Sequence, residues 1–118
     1  MPAADLLRRL AVVLDEHRWD DLPALLHPEL EVRYVHTGER FDVDAFVRLN
    51  ADYPGFERFD LVDVVDAGTR AVGRARVTAH TDGQVDTYAV ASFVTERDGL
   101  VGELVEVWTD VSPPPPGR

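Results

Sequence analysis

The chain has 118 residues, 45% apolar and 8% aromatic, enough for one globular domain that buries roughly two-thirds of its unfolded surface. A net charge of −10 disfavours nucleic acid and anionic membranes as partners, because both are bound through cationic side chains. No apolar run approaches the ~18 residues that cross a bilayer, and the absence of cysteine removes disulfides, thiolate catalysis and cysteine-ligated metals. All 12 basic residues are arginine, which also excludes lysine Schiff-base chemistry. The first residues lack the basic and apolar regions of a signal peptide, so a cytoplasmic location is expected.

Residues 5–18 place Leu7, Leu10 and Leu14 at helical spacing, widened by Leu6 and Val13, with Arg8, Arg9, Asp15 and Glu16 largely opposite. After Trp19, either Asp20 or Asp21 is expected to cap a short second helix from Leu22 to Leu26, ended by His27-Pro28. Leu30 to His36 alternates as a strand, with Val32, Tyr34 and His36 on one face and Glu31, Arg33 and Val35 on the other. Asp42 is a good N-cap for a third helix, and Phe41 with Phe46 has the spacing of a hydrophobic staple. The apolar stripe of that helix is Val43, Phe46, Val47 and Asn50, and Pro54-Gly55 stops it.

Four β-runs follow, near 57–66, 70–81, 84–96 and 100–110. In the first, either Leu61 or Val62 faces inward, depending on the length of the turn around Gly68. Asp82-Gly83 and Asp98-Gly99 are strong signals for two-residue hairpin turns of type I′. The proline run 113–116 cannot join a ladder. The expected organisation is a single domain over 1–111 with a disordered Pro-rich tail over 112–118.

The two tight turns pair Thr81 with Gln84 and Arg97 with Leu100. Counting outward gives cross-strand rows on one face: Val72–Phe93–Leu104, Arg74–Ala91–Glu106, Arg76–Ala89–Trp108, then Thr78, Thr87 and Asp110, with His80 beyond. A carboxylate and an indole among apolar residues suggest a pocket. The other face carries Val77, Tyr88, Val90, Ser92, Val94, Val105 and Val107, too apolar to stand in water. A second copy of the chain is expected to cover it, giving a homodimer.

The element order, together with Trp19-Asp20-Asp21-Leu22-Pro23-Ala24-Leu25-Leu26-His27-Pro28, Asn50-Ala51-Asp52-Tyr53-Pro54-Gly55 and Asp98-Gly99-Leu100 leading to Glu106-Val107-Trp108-Thr109-Asp110, resembles the nuclear transport factor 2-like superfamily and its SnoaL-like branch. The resemblance covers the chain up to Asp110. It implies an α+β fold in which a cone-shaped, curved, mixed or antiparallel sheet wraps three N-terminal helices. It further implies an apolar pocket inside the cone and a homodimer across the outer sheet face. Function is less constrained, because the superfamily includes isomerases, cyclases, epoxide hydrolases, dehydratases and non-catalytic binding domains. Ketosteroid isomerases of this fold use a tyrosine on the first helix and a carboxylate near the end of the first strand. Ungapped matching puts Leu10 and Tyr34 there, so steroid isomerisation by that constellation is not expected.

Glu106 is the leading candidate for a general base or ligand anchor, since burial raises a carboxyl's pKa. The competing reading is an ion pair with Arg74 across Ala91, which would lower it. His80 and Tyr34 complete the candidate catalytic set, one as an alternative base and the other as a donor to an oxyanion. Candidate ligand contacts are Trp108, Asn50, Arg76, Arg74, Trp19, Tyr53 and His36. The competing reading of Asn50 is a tie to the Tyr53-Pro54-Gly55 loop, and His17 and His27 read as helix-end surface residues. The histidines show no metal-ligand spacing, and no phosphate-binding glycine loop or nucleophile elbow is present, so no metal or cofactor is expected. The primary expectation is a small hydrophobic molecule bound in the cone. The alternative is a cofactor-independent acid/base enzyme acting on a small hydrophobic carbonyl compound, with an association module as a third reading.

Overall fold

A computed structural model describes residues 1–118. Helix α1 (Ala3–Asp15) is followed by two 3-10 turns, Trp19–Asp21 and Pro23–Leu25, and then by strands β1 (Leu26–Tyr34) and β2 (Arg40–Phe41). Helix α2 (Val43–Ala51) leads into β3 (Phe56–Ala67), β4 (Arg70–Thr81), β5 (Gln84–Arg97) and β6 (Leu100–Asp110). The six strands form one curved sheet in the order β2-β1-β6-β5-β4-β3. Every pairing is antiparallel except β1 with β6. This is the mixed α+β cone of the nuclear transport factor 2-like fold.

Periodicity accounts for α1, which buries Leu6, Leu7, Leu10, Val13 and Leu14 on one face and leaves Arg8 and Arg9 exposed. The buried face meets Val77, Val90, Val94, Val101 and Leu104 of the sheet in a single core. Gly73 makes the close seat possible: a Cβ there would stand 2.7 Å from Leu7 Cδ2 and 3.1 Å from Leu61 Cδ1. No helix is long and apolar enough to cross a membrane.

The segment after Trp19 departs from expectation. It forms 3-10 turns, neither with a side-chain cap, and Leu26 already belongs to β1. Leu26 is pulled into the ladder opposite Val101, where it is 4% exposed, so burial overrides the local helical preference. His27 and Pro28 therefore interrupt a strand rather than end a helix, and the pairing register shifts between Leu26 and Glu31. Helix α2 starts as its cap predicts, with the Ala45 N–H donating to Asp42 Oδ1 at 2.9 Å.

Both Asp-Gly turns have positive φ at their two central residues, 51° and 76° at Asp82-Gly83 and 54° and 78° at Asp98-Gly99. These are the type I′ values that the sequence signals. The β4–β5 register follows: Val72 pairs with Phe93, Arg74 with Ala91 and Arg76 with Ala89. The β5–β6 register does not. Glu96 pairs with Val101 but Thr95 with Glu103, so Gly102 is an extra residue in β6, a β-bulge. Beyond it, Val94 lies opposite Leu104, Ser92 opposite Glu106 and Val90 opposite Trp108.

One inserted residue changes which face each strand shows. Leu104, Glu106 and Trp108 look inward, but they share that face with Tyr88, Val90, Ser92 and Val94 of β5 and with Ala71, Gly73, Ala75 and Val77 of β4. The rows expected from a bulge-free hairpin are thus corrected: Val72, Arg74, Arg76, Thr78, Thr87, Ala89, Ala91 and Phe93 belong to the outer face. A further bulge, at Val62 of β3, resolves the first β-run: Leu61 packs against the core and Val62 is 55% exposed.

Candidate functional site

At the open end of the cone lies a cavity of about 480 Å³. Its walls come from six places in the chain. The end of β1 and the following loop supply Tyr34, His36 and Glu39, and the C-terminal turn of α2 with the next loop supplies Leu49, Asn50 and Tyr53. Phe56 and Phe59 come from β3, Val77 and Tyr88 from β4 and β5, and Trp108, Thr109 and Asp110 from the end of β6. Tyr34, Trp108, Tyr88 and Tyr53 form a continuous aromatic arc, with successive ring centroids 6.3, 6.2 and 6.4 Å apart.

Behind this wall sits Glu106, 3% exposed. Ser92 Oγ donates to Glu106 Oε2 at 2.5 Å, and Trp108 Nε1–H donates to Oε1 at 3.2 Å. Tyr34, the neighbour of Glu106 across the β1–β6 ladder, faces the same carboxyl. Burial pushes the Glu106 carboxyl above the ordinary range, and the Ser92 and Trp108 donors with the facing Tyr34 offset only part of that push. Tyr34 is likewise raised, first by burial and then by the facing Glu106 charge. A carboxyl in this setting keeps its proton to higher pH than an exposed glutamate does, and Tyr34 stands between it and the cavity.

The sequence-derived candidates divide cleanly. Tyr34, His36, Asn50, Tyr53 and Trp108 line the cavity together, with Glu106 directly behind Tyr34 and Trp108. His36 Nδ1 accepts the Trp108 backbone N–H at 3.2 Å, and its ring stacks on Tyr34 at 5.3 Å. Asn50 does not tie the following loop with its side chain; its Nδ2 donates to the Phe46 carbonyl of its own helix at 2.8 Å.

Four candidates lie elsewhere. Arg74 and Arg76 are exposed on the outer face because alternation along β4 puts Ala75 and Val77 inside. Arg74 pairs with Asp63 at 3.3 Å, so the anticipated Arg74–Glu106 ion pair does not form. His80 shares that outer face, with Nδ1 3.5 Å from Glu57 Oε1. Trp19 is outside the cavity wall, tilted against Phe56 at a centroid distance of 6.0 Å. His17 also does more than decorate a helix end, stacking on Phe56 at 4.8 Å.

Sequence reasoning missed Ser92, Tyr88, Phe56, Phe59 and Glu39. Ser92 and Tyr88 were assigned to the wrong face with the rest of β5. The available signal was Gly102, a lone glycine in a strand pattern, which marks a bulge. Among the His, Asp and Glu side chains no group of three or more is arranged to hold a metal ion.

Solved structures share this architecture. A protein from Kribbella flavida DSM 17836, described as a candidate ketosteroid isomerase, superposes with a TM-score of 0.83 at 25% identity, over 98% of this chain and 83% of that one. An LEH-like epoxide hydrolase from M. tuberculosis superposes at 0.76 with 14% identity, covering 90% and 81%. A protein of ketosteroid isomerase-like fold from Catenulispora acidiphila DSM 44928, solved in complex with trimethylamine, superposes at 0.75 with 11% identity, covering 88% and 85%. No curated protein sequence matches the chain. The sequence profile of the SnoaL-like domain matches residues 7–104, and by that match, over the elements that build the cone, the chain belongs to the SnoaL-like domain family.

Proposed function

We propose that this protein binds a small, largely apolar molecule in the cavity at the mouth of the cone. The observation that carries this reading is the aromatic arc of Tyr34, Trp108, Tyr88 and Tyr53 around about 480 Å³, backed by one fully hydrogen-bonded carboxyl. A volume of this size suits a compact organic molecule, and convergent polar groups in an apolar site fix orientation. The test is a thermal-shift screen of steroids, aromatic polyketide-like compounds, terpenoids and small apolar amines. Ligand at 100 times Kd should stabilise the fold by about 2.7 kcal/mol, and an unchanged melting temperature across the screen would sink the proposal.

A second reading, cofactor-independent acid/base catalysis, is favoured by the raised pKa of Glu106 and its link to Tyr34. In that reading the α-proton of a bound carbonyl compound passes to the Tyr34 oxygen as the Tyr34 hydroxyl proton passes to the ionised Glu106, leaving the substrate as its enolate. His80 and Arg76 take no part, since they face away from the cavity. Family relatives with isomerase, cyclase or hydrolase activity make the reading reasonable. An enzyme predicts that Glu106→Gln retains ligand affinity but loses turnover, whereas a binder shows no turnover to lose.

A homodimer across the outer sheet face is part of the same proposal. The partly exposed residues Val72, Ala91, Phe93, Val105 and Val107 supply an apolar strip there. That strip replaces the set expected from the sequence, whose β4 and β5 members point into the core.

A further inference from the structure

The cavity's electrostatics are one-sided. No arginine lines it, while Glu39 and Asp110 stand at its rim. The end of α2 that reaches it, Leu49 and Asn50, is the C-terminal end, where the helix dipole is negative. With its N–H committed to Glu106, Trp108 has only carbon surface and π density left for the cavity. Aromatic faces carry negative potential and attract organic cations within about 6 Å. A net charge of −10 adds a long-range field of the same sign. An anionic ligand would meet no countercharge and no helix N-terminus.

From this arrangement we propose that the ligand is an organic cation: an alkylated ammonium group on a small apolar body, its charge held against Trp108, Tyr88 and Tyr53 and facing Asp110 and Glu39. The inference rests on the cavity being a ligand site, as proposed above, and names the class of ligand it takes. Tyr53 supports it independently. Its hydroxyl is pushed up to about 12, first by burial, then by the neighbouring Tyr88 and the charges of Asp86 and Asp110. Asp86 and Asp110 thus stand near enough to this part of the wall to contribute to the shift.

Calorimetric titration of the full chain at neutral pH and low salt with three probes of matched shape separates the possibilities. The probes are 4-hydroxy-N,N,N-trimethylanilinium, its neutral isostere 4-tert-butylphenol, and the anion 4-tert-butylbenzoate. The cation should bind at least about tenfold more tightly than the neutral isostere, and the anion should not bind. Replacing the rim acids together, Glu39→Gln with Asp110→Asn, should bring the cation-to-neutral preference to within about threefold of unity. Both side chains are exposed, so the fold should tolerate the change. Equal or tighter binding of 4-tert-butylphenol would overturn the cation assignment while leaving the cavity as a ligand site. A preference unaffected by the double variant would contradict the part given to the rim. Binding of none of the probes would count against both the cation and the cavity itself.

Discussion

Glu106 concentrates the energetic conflict of this molecule in one side chain. Hydrogen bonds from Ser92 and Trp108 favour its ionised form and burial disfavours it, and burial prevails. The folded protein therefore holds a proton that the unfolded chain releases near the ordinary carboxylate pKa. The stabilisation from this group is fully present below about 4.3, the pKa of an unperturbed glutamate, and is lost as pH rises through the higher folded value. Glu106→Gln cannot titrate, yet it can still accept from Trp108 and share a hydrogen bond with Ser92. Urea unfolding at pH 5 and pH 8 should show the variant gaining stability relative to the wild type as pH rises. Parallel stability-versus-pH curves would contradict the raised pKa. Ser92→Ala should act in the opposite sense at neutral pH, because it removes a donor from the buried carboxyl and leaves a polar atom unpaired, at a cost of about 1–3 kcal/mol by the same assay.

At the scale of elements, the helix-to-sheet seat is the most sensitive contact. Gly73→Ala would put a methyl group 2.7 Å from Leu7 Cδ2, and α1 is too tightly packed to absorb it freely. A loss of about 1–3 kcal/mol is expected, read as a lower urea midpoint with an unchanged slope; an unchanged midpoint would show that α1 can shift. Much at this scale was legible in the sequence. Strong local signals placed the two Asp-Gly turns, the Asp42 cap, the α1 stripe and the limits of β4 and β6. What could not be counted from the turns was Gly102. A bulge alters register by one residue, and one residue inverts a strand. Glu106 and Trp108 were expected inside and are inside, but with Ser92 and Val90 for neighbours in place of two alanines. That exchange removed Arg74, Arg76 and His80 from the site and brought in Tyr88. The apolar run Tyr88, Val90, Val94 already argued for an inward face, and it conflicted with the turn count. Packing settled the conflict against the local rule.

For the molecule as a whole, the outer sheet face and the cavity make separate claims. The strip of Val72, Ala91, Phe93, Val105 and Val107 is expected to close a homodimer with twofold symmetry. Sedimentation at micromolar concentration should give twice the chain mass of 13.2 kDa, and Val107→Arg, at a position already 39% exposed, should shift it towards one. A wild-type monomer at that concentration would refute the dimer without touching the cavity. The cavity is tested most directly by an amide correlation NMR titration with 4-hydroxy-N,N,N-trimethylanilinium and 4-tert-butylphenol. Binding at the mouth of the cone should move the indole N–H of Trp108 and the amides of Tyr34, Asn50, Tyr53 and Tyr88 in a saturable way. Saturable shifts confined to the outer strip, or no shifts with either compound, would contradict it.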